Sequence, residues 1–194
     1  MIVMTSKLRE LMDELKEVNA ETFYHSVRVK TLVCRMIKNL NGKGISSYTK
    51  EDIDIICKGA LLHDMGKLYV DNVILTKDSS LTEEEMECMT RHTQLGFEAI
   101  EAELTEEEYE TVKNICLYHH ERCDGGGYEK MEGLPLYVDI VAICDVFDAL
   151  NSDRIYRKKF SRDVSIEIIE SGESGFFDEK MIDSLKEITE EIDL

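Results

Sequence analysis

The sequence predicts an all-α protein, and three observations carry that expectation. Apolar residues recur at helical spacing along almost the whole chain, two segments open with a capping-box signature, and only the short stretch 70–75 has an extended character. Leu8, Leu11, Met12 and Leu15 stripe a first short helix. Phe23, Val27, Leu32, Val33, Met36, Ile37 and Leu40 stripe a second, which should stop near Asn41-Gly42. A third is expected over about 49–64, through Ile53, Ile56, Ala60 and Leu61. Thr82-x-x-Glu85 and Thr105-x-x-Glu108 begin the next two, since hydroxyl and acid each satisfy an orphan backbone N–H; these should run to about Ala102 and His120. Pro135, the only proline, stands where a first helical turn loses nothing by lacking an N–H, ahead of a helix over 136–150. Two more are expected near 162–170 and 178–192.

With 194 residues and no Pro- or Ser-rich linker, the chain suits one domain over 1–194, an N-terminal helix within 1–18 followed by a bundle over 19–194. About 70% of the unfolded surface can be buried at this length, enough for a single core. The net charge of -18 argues against binding a nucleic-acid polymer, whose phosphates an acidic surface repels. Against that background Arg154, Arg157, Lys158, Lys159 and Arg162, with Tyr156 and Phe160 between them, form a basic cluster; composition allows either a solvated helix end or a phosphate-binding role. Six cysteines without a CxxC pair, and no signal peptide, lead to an expectation of reduced thiols, mostly buried. No apolar run approaches the roughly 20 residues needed to span a bilayer, so a cytoplasmic protein is expected.

All five histidines fall into a pattern with two aspartates: His25, the pair His63-Asp64, His92, the pair His119-His120, and Asp145. Imidazoles and carboxylates are usual ligands of zinc, iron or manganese, so the pattern reads as a catalytic metal centre. Glu21 and His25 are four apart and share one helical face. His63 and Asp64 are adjacent, and on an intact helix their side chains diverge by about 100°; they serve one site only if the helix ends there or Asp64 bridges two ions. Asp145 sits in the apolar run Ile140-Val141-Ala142-Ile143-Cys144, where an unpaired carboxylate pays a large desolvation cost. Asp148, one turn on, is placed to orient a ligand or fix the helix against a neighbour. A rival arrangement is a structural zinc site from Cys116, His119, His120 and Cys123.

The ordered set Leu62-His63-Asp64-Met65-Gly66-Lys67, Ile74-Leu75-x-Lys77, Leu81-Thr82-x-Glu84-Glu85, His92-x-x-x-Gly96, His119-His120-Glu121-x-x-Asp124-Gly125-x-Gly127-Tyr128 and Asp145-Val146-Phe147-Asp148-Ala149-Leu150, continuing through Arg154-x-Tyr156-Arg157 to Gly175-x-Phe177-Asp178, resembles the HD-GYP group of the HD-domain metal-dependent phosphohydrolases. The resemblance implies an HD-domain helical bundle that hydrolyses cyclic di-GMP or a related cyclic dinucleotide, a small anionic nucleotide substrate. It implies two divalent metal ions, with a third in some members, iron or manganese ahead of zinc, held by His25, His63, Asp64, His92, His119, His120 and Asp145, with Glu21 at the third position. Asp64 and Lys67 become the catalytic pair, Lys67 acting on a substrate phosphate, and Arg154 and Arg157 match positions that hold the dinucleotide. Two ions about 3.5 to 4 Å apart activate a water between them and clamp the phosphoryl oxygens. The chain departs from the pattern at Glu129, where proline usually follows the signature tyrosine, and at Asp139, where members commonly have arginine; an acid facing the site there weakens anion binding. Two rival functions are a broader HD nucleotide phosphohydrolase and a nucleotide-binding module of little catalytic power.

Overall fold

A computed structural model describes residues 2–122, 125–128, 133–153 and 158–190, and no strand occurs among them. Helix α1 (Ser6–Val18) is capped by Thr5, whose hydroxyl accepts from the Leu8 N–H, and it buries Leu8, Leu11, Met12 and Leu15. Asn19 then closes α1 with its own N–H and opens α2 (Ala20–Gly42) with its side chain, so the two helices meet without a loop. Helix α3 (Lys50–Leu62) starts at a capping box that pairs Thr49 with Asp52. The acid is one carbon shorter than the glutamate of the usual capping-box pattern.

Of the segment 70–75, expected to be extended, only Val70 has extended backbone next to the preceding 3-10 turn (Met65–Tyr69), while 72–75 form the single helical turn α4 (Asn72–Leu75). Asp71 is the cause: its carboxylate accepts from the Val73 N–H and caps the turn. The helix expected over 82–102 is divided. Helix α5 (Glu83–Thr90) buries nothing, whereas α6 (His92–Ile100) buries His92, Gly96, Phe97 and Ile100; Arg91 separates them. Helix α6 packs against the Met65–Tyr69 turn so closely that a Cβ on Gly66 would lie 1.8 Å from the His92 carbonyl oxygen. The highly charged α5 buries no residue, so no core contact holds it to the same axis.

Helices α7 (Glu106–Tyr118), α8 (Leu136–Asn151), α9 (Arg162–Ser171) and α10 (Glu179–Thr189) complete the bundle. Two apolar clusters lie side by side. One joins α2, α3, α8, α9 and α10 through residues such as Val33, Met36, Ile56, Val141, Phe147 and Leu185; the other joins α1, α6 and α7 through Leu8, Leu15, Phe97, Ile100 and Val112. Helices α3 and α7 serve both, Ile56 and Ile115 facing one while Leu62 and Cys116 face the other. A buried ion pair, Lys58 to Glu108 at 2.7 Å, ties α3 to the start of α7.

The cysteines correct the expectation of free thiols. Cys34 on α2 and Cys57 on α3 form a disulfide, because the two helices run together and bring these Cα atoms to 6.2 Å. Cys88 is exposed, and only Cys116 and Cys144 are buried free thiols among the described residues. Arg162, read as part of the basic cluster, is a strut: it donates to the Thr189 hydroxyl and the Lys186 carbonyl and holds α9 to α10. Lys158 and Lys159 are exposed, and Arg154 and Arg157 lie outside the described residues. No described helix is long and apolar enough to cross a membrane.

Candidate metal centre

Each candidate donor sits where a helix begins, ends or carries a carboxylate through the core. His25 is on α2; His63 and Asp64 follow the last residue of α3; His92 opens α6; His119 and His120 follow α7; Asp145 lies within α8. Asp64 has left the helical conformation (φ -99°, ψ 11°), which removes the divergence that adjacent residues on one helix suffer. The structure brings all seven together in the bundle interior.

Three sets of donor atoms lie within 4.8 Å of one another and could hold a metal ion: His25, His63 and Asp145; His92, His119 and His120; and His63, Asp64 and His119. Asp64 stands between the first two. Its Oδ2 is 3.4 Å from His63 Nε2 and 3.7 Å from His25 Nε2, while its Oδ1 is 3.4 Å from His92 Nε2 and 3.9 Å from His119 Nε2. One carboxylate therefore presents a separate oxygen to each group of imidazoles. Lys67 donates to Oδ2 at 2.6 Å.

The imidazoles are held from behind. Nδ1 of His63 faces the Ala60 carbonyl at 2.9 Å, Nδ1 of His92 the Met89 carbonyl at 2.7 Å, and Nδ1 of His119 the Ile115 and Cys116 carbonyls at 3.0 Å. His25 Nδ1 is 2.7 Å from Asp148 Oδ2. Such backing fixes the tautomer and turns Nε2 inward, the usual support of a metal-bound histidine. Three buried atoms at the centre have no hydrogen-bond partner: His63 Nε2, His120 Nε2 and Asp64 Oδ1. Unpartnered buried donors and acceptors are costly, and cations bound in the donor sets would satisfy all three. The residues present fit divalent metal ions.

The electrostatics are divided between the two sides. Burial lowers the His92 and His119 pKa values, neighbouring histidines adding to the effect on His119, and brings His120 down to about 3, so these rings are neutral with lone pairs available. Burial also pulls His25 down, but hydrogen bonds to Asp145 and Asp148 outweigh it and raise it to about 9. Burial pushes Asp64 and Asp145 up; Lys67 and His63 for the first, and His25 for the second, more than reverse this and keep both carboxylates ionised.

Sequence reasoning missed the clamp behind His25. Arg28 grips Asp148 with Nε and a terminal nitrogen at 2.7 and 2.9 Å, and also reaches the Ser152 hydroxyl. The signal was present as His25/Arg28 one turn apart facing Asp148/Ser152 one turn apart. Tyr128 lies over His120, ring centroids 4.6 Å apart, because Gly127 (φ 111°) lets the loop pass where a Cβ would meet the His120 carbonyl at 2.7 Å. Cys116, part of the rival zinc arrangement, belongs to none of the three donor sets; it is buried with its sulfur facing the Leu62 carbonyl. Cys123 lies outside the described residues, as does Glu129. Asp139 is not among the residues lining the cleft; its charged neighbours are Arg122 and Asp178.

A cleft of about 980 Å³ adjoins the centre, with Lys67 in its lining. Glu21, Asn19 and Thr22 from the start of α2 form one side, and Glu21 stands outside the three donor sets. The rest of the lining comes from α4, α5, the loop between them and Ala149-Leu150 of α8.

This helical fold with its candidate donor set is that expected of an HD domain, and comparison with known proteins agrees. The model of the HD domain family matches residues 22–150. The cyclic di-GMP phosphodiesterase response regulator RpfG of Xanthomonas campestris is 38% identical over 141 residues, covering 71% of this chain and 37% of that protein. A cyclic di-GMP phosphodiesterase of Vibrio cholerae is 32% identical over 198 residues, covering 97% and 39%. Among solved structures, Bd1817 of Bdellovibrio bacteriovorus, an HD-GYP-like protein, superposes with a TM-score of 0.66 at 20% identity, over 86% of this chain and 51% of that one, a likeness of fold. The chain belongs to the HD-domain family, in its HD-GYP group, and spans about two-fifths of the length of these curated relatives.

Proposed function

We propose that this chain is a metal-dependent phosphodiesterase that hydrolyses cyclic di-GMP or a related cyclic dinucleotide. One observation carries the reading: a buried aspartate offers one oxygen to each of two imidazole groups, with a lysine bonded to it on the wall of a cleft large enough for a nucleotide ligand. The named activity of the relatives agrees with it.

In this reading His25, His63 and Asp145 hold one ion, His92, His119 and His120 hold a second, and Asp64 serves both. Glu21, on the cleft side of α2, is the candidate for a third. Bound divalent ions, iron or manganese ahead of zinc, supply Lewis acidity at the phosphoryl oxygens and an acidified water. The protein supplies the rest. Asp64 stays ionised so that both oxygens remain acceptors. Lys67, between Asp64 and the cleft, binds a phosphoryl oxygen or delivers a proton to the departing 3′-oxygen. Asp148, clamped by Arg28, fixes the ring of His25. Arg154 and Arg157 are assigned to the anion on the strength of the motif. The positive charge gathered at the centre overcomes the repulsion that a chain of net charge -18 exerts on an anion.

The test is turnover of cyclic di-GMP by protein loaded with Mn²⁺ or Fe²⁺, beside a panel of mononucleotides. Linear dinucleotide or mononucleotide product, abolished by chelation and restored by metal, is expected. Turnover of mononucleotides alone would transfer the chain to a broader nucleotide phosphohydrolase, and no turnover by fully loaded protein would leave a binding module. A second expectation concerns the clamp: Asp148→Ala should weaken metal binding about 10- to 100-fold, read by competitive metal titration, because His25 loses the partner that aims it.

A further inference from the structure

Helices α4 and α5 contain no buried residue, yet together with the loop joining them they carry Ile74, Leu75, Leu81, Met86 and Met89, all lining the cleft. Elements that add nothing to either apolar cluster have no folding reason to hold five large apolar side chains on one wall. Met86 is 45% exposed, and an apolar group left in water beside a cleft gains its free energy when something flat and apolar covers it. The cation on this wall is already engaged: Lys77 pairs with Glu85, which also accepts the Thr82 N–H of the α5 cap. The wall thus offers apolar area and little net positive charge. Lys67, which donates to Asp64, belongs to the same lining and gives the cleft a polar end beside the candidate centre.

Resting on the function proposed above, we propose that the wall of Ile74, Leu81, Met86 and Met89 is the seat of the substrate's nucleobases. It selects phosphodiesters that carry large flat heterocycles over those that do not. Methionine suits this task, since its thioether is polarisable, makes favourable contacts with aromatic rings and adapts to their shape. Met86 and Leu81 are specificity-determining residues, remote from the reacting atoms.

The test uses Met86→Gln and Leu81→Gln in the metal-loaded chain. Neither side chain supports the core, so both variants should melt with the wild type. The Michaelis constant for cyclic di-GMP should rise on the order of tenfold in each, with kcat within about twofold, since an apolar contact of this size is worth 10- to 200-fold in discrimination. Competitive inhibition by inorganic phosphate, which engages only the polar end, should not change. An unchanged Michaelis constant, or phosphate inhibition that weakens in step, overturns the proposal. If the wild type turns over no cyclic dinucleotide, calorimetry with GMP and with ribose 5-phosphate separates the two readings. Binding that requires the base and weakens in Met86→Gln keeps the wall and discards the reaction; equal binding of both ligands, or binding of neither, discards the wall.

Discussion

Replacing Asp64 with alanine should lower metal-dependent turnover of cyclic di-GMP by on the order of 10³-fold, a loss of about 4 kcal/mol in transition-state stabilisation. The magnitude follows from geometry. Asp64 is the one residue whose oxygens face both imidazole groups, Oδ2 near His25 and His63 and Oδ1 near His92 and His119. Its removal leaves histidines as the only donors in the His92 group and puts several buried imidazoles together with no anion between them. Burial already keeps His92, His119 and His120 neutral, so the protein survives the change as a folded chain with weakened metal affinity. Elemental analysis should then show substoichiometric metal, and circular dichroism a helical spectrum like that of the wild type. Turnover within tenfold of wild type in Asp64→Ala would remove the bridging carboxylate from the account.

Gly66→Ala should be the most damaging single-methyl change in the site. The added Cβ would fall 1.8 Å from the His92 carbonyl oxygen and 2.5 Å from the Gly96 nitrogen, both backbone atoms of α6 that no rotamer change can move. Relief requires α6 to shift away from the Met65–Tyr69 turn. That shift opens the cluster of Phe97, Ile100 and Met65 and carries His92 away from Asp64 at once. A cost of about 3 kcal/mol or more is expected from overpacking of this severity. At about 2 to 4 °C per kcal/mol for a chain of this size, the melting temperature should fall by roughly 10 °C. Gly42→Ala is the matched control, because nothing lies within 4 Å of a Cβ there. Thermal melts of the two variants, with metal stoichiometry measured on each, check the expectation; equal melting of Gly66→Ala and wild type would contradict it.

What could be read from the chain depended on how local each signal was. The stripe of α1 and the caps at Thr82 and Thr105 involve residues within one or two turns, and the helices they predict are present. The break at Arg91 is imposed by contact with Gly66, 25 positions away, and no local propensity announces it. The Cys34–Cys57 bridge is likewise a product of helix packing that spacing alone cannot supply. Asp71 is a local signal, a carboxylate two residues before the N–H it caps, set among apolar, β-branched residues that equally suit a strand.

The candidate site was visible because every histidine in the chain belongs to it, which is unusual enough to stand out against an acidic background. Its two-sidedness is legible only as a condition, that the helix ends at His63-Asp64 or that Asp64 bridges two ions. That depends on Asp64 leaving the helical conformation at the end of α3, so that its carboxylate points between groups that adjacent helical residues could not both reach. Asp148 was expected either to orient a ligand or to hold its helix against a neighbour. It bonds His25 and Arg28 of α2, so it ties α8 to α2 and holds the ring of a candidate ligand. The cleft wall of α4 and α5 could not be foreseen, because in sequence its apolar residues look like ordinary core positions.

Asp64 and the six donors around it should cage two divalent ions. An anomalous-difference map from crystals of the manganese-loaded protein tests it most directly. The account predicts one peak among His25, His63, Asp64 and Asp145 and another among His92, His119, His120 and Asp64. A map without density among these groups, from protein shown to be loaded in solution, would contradict it.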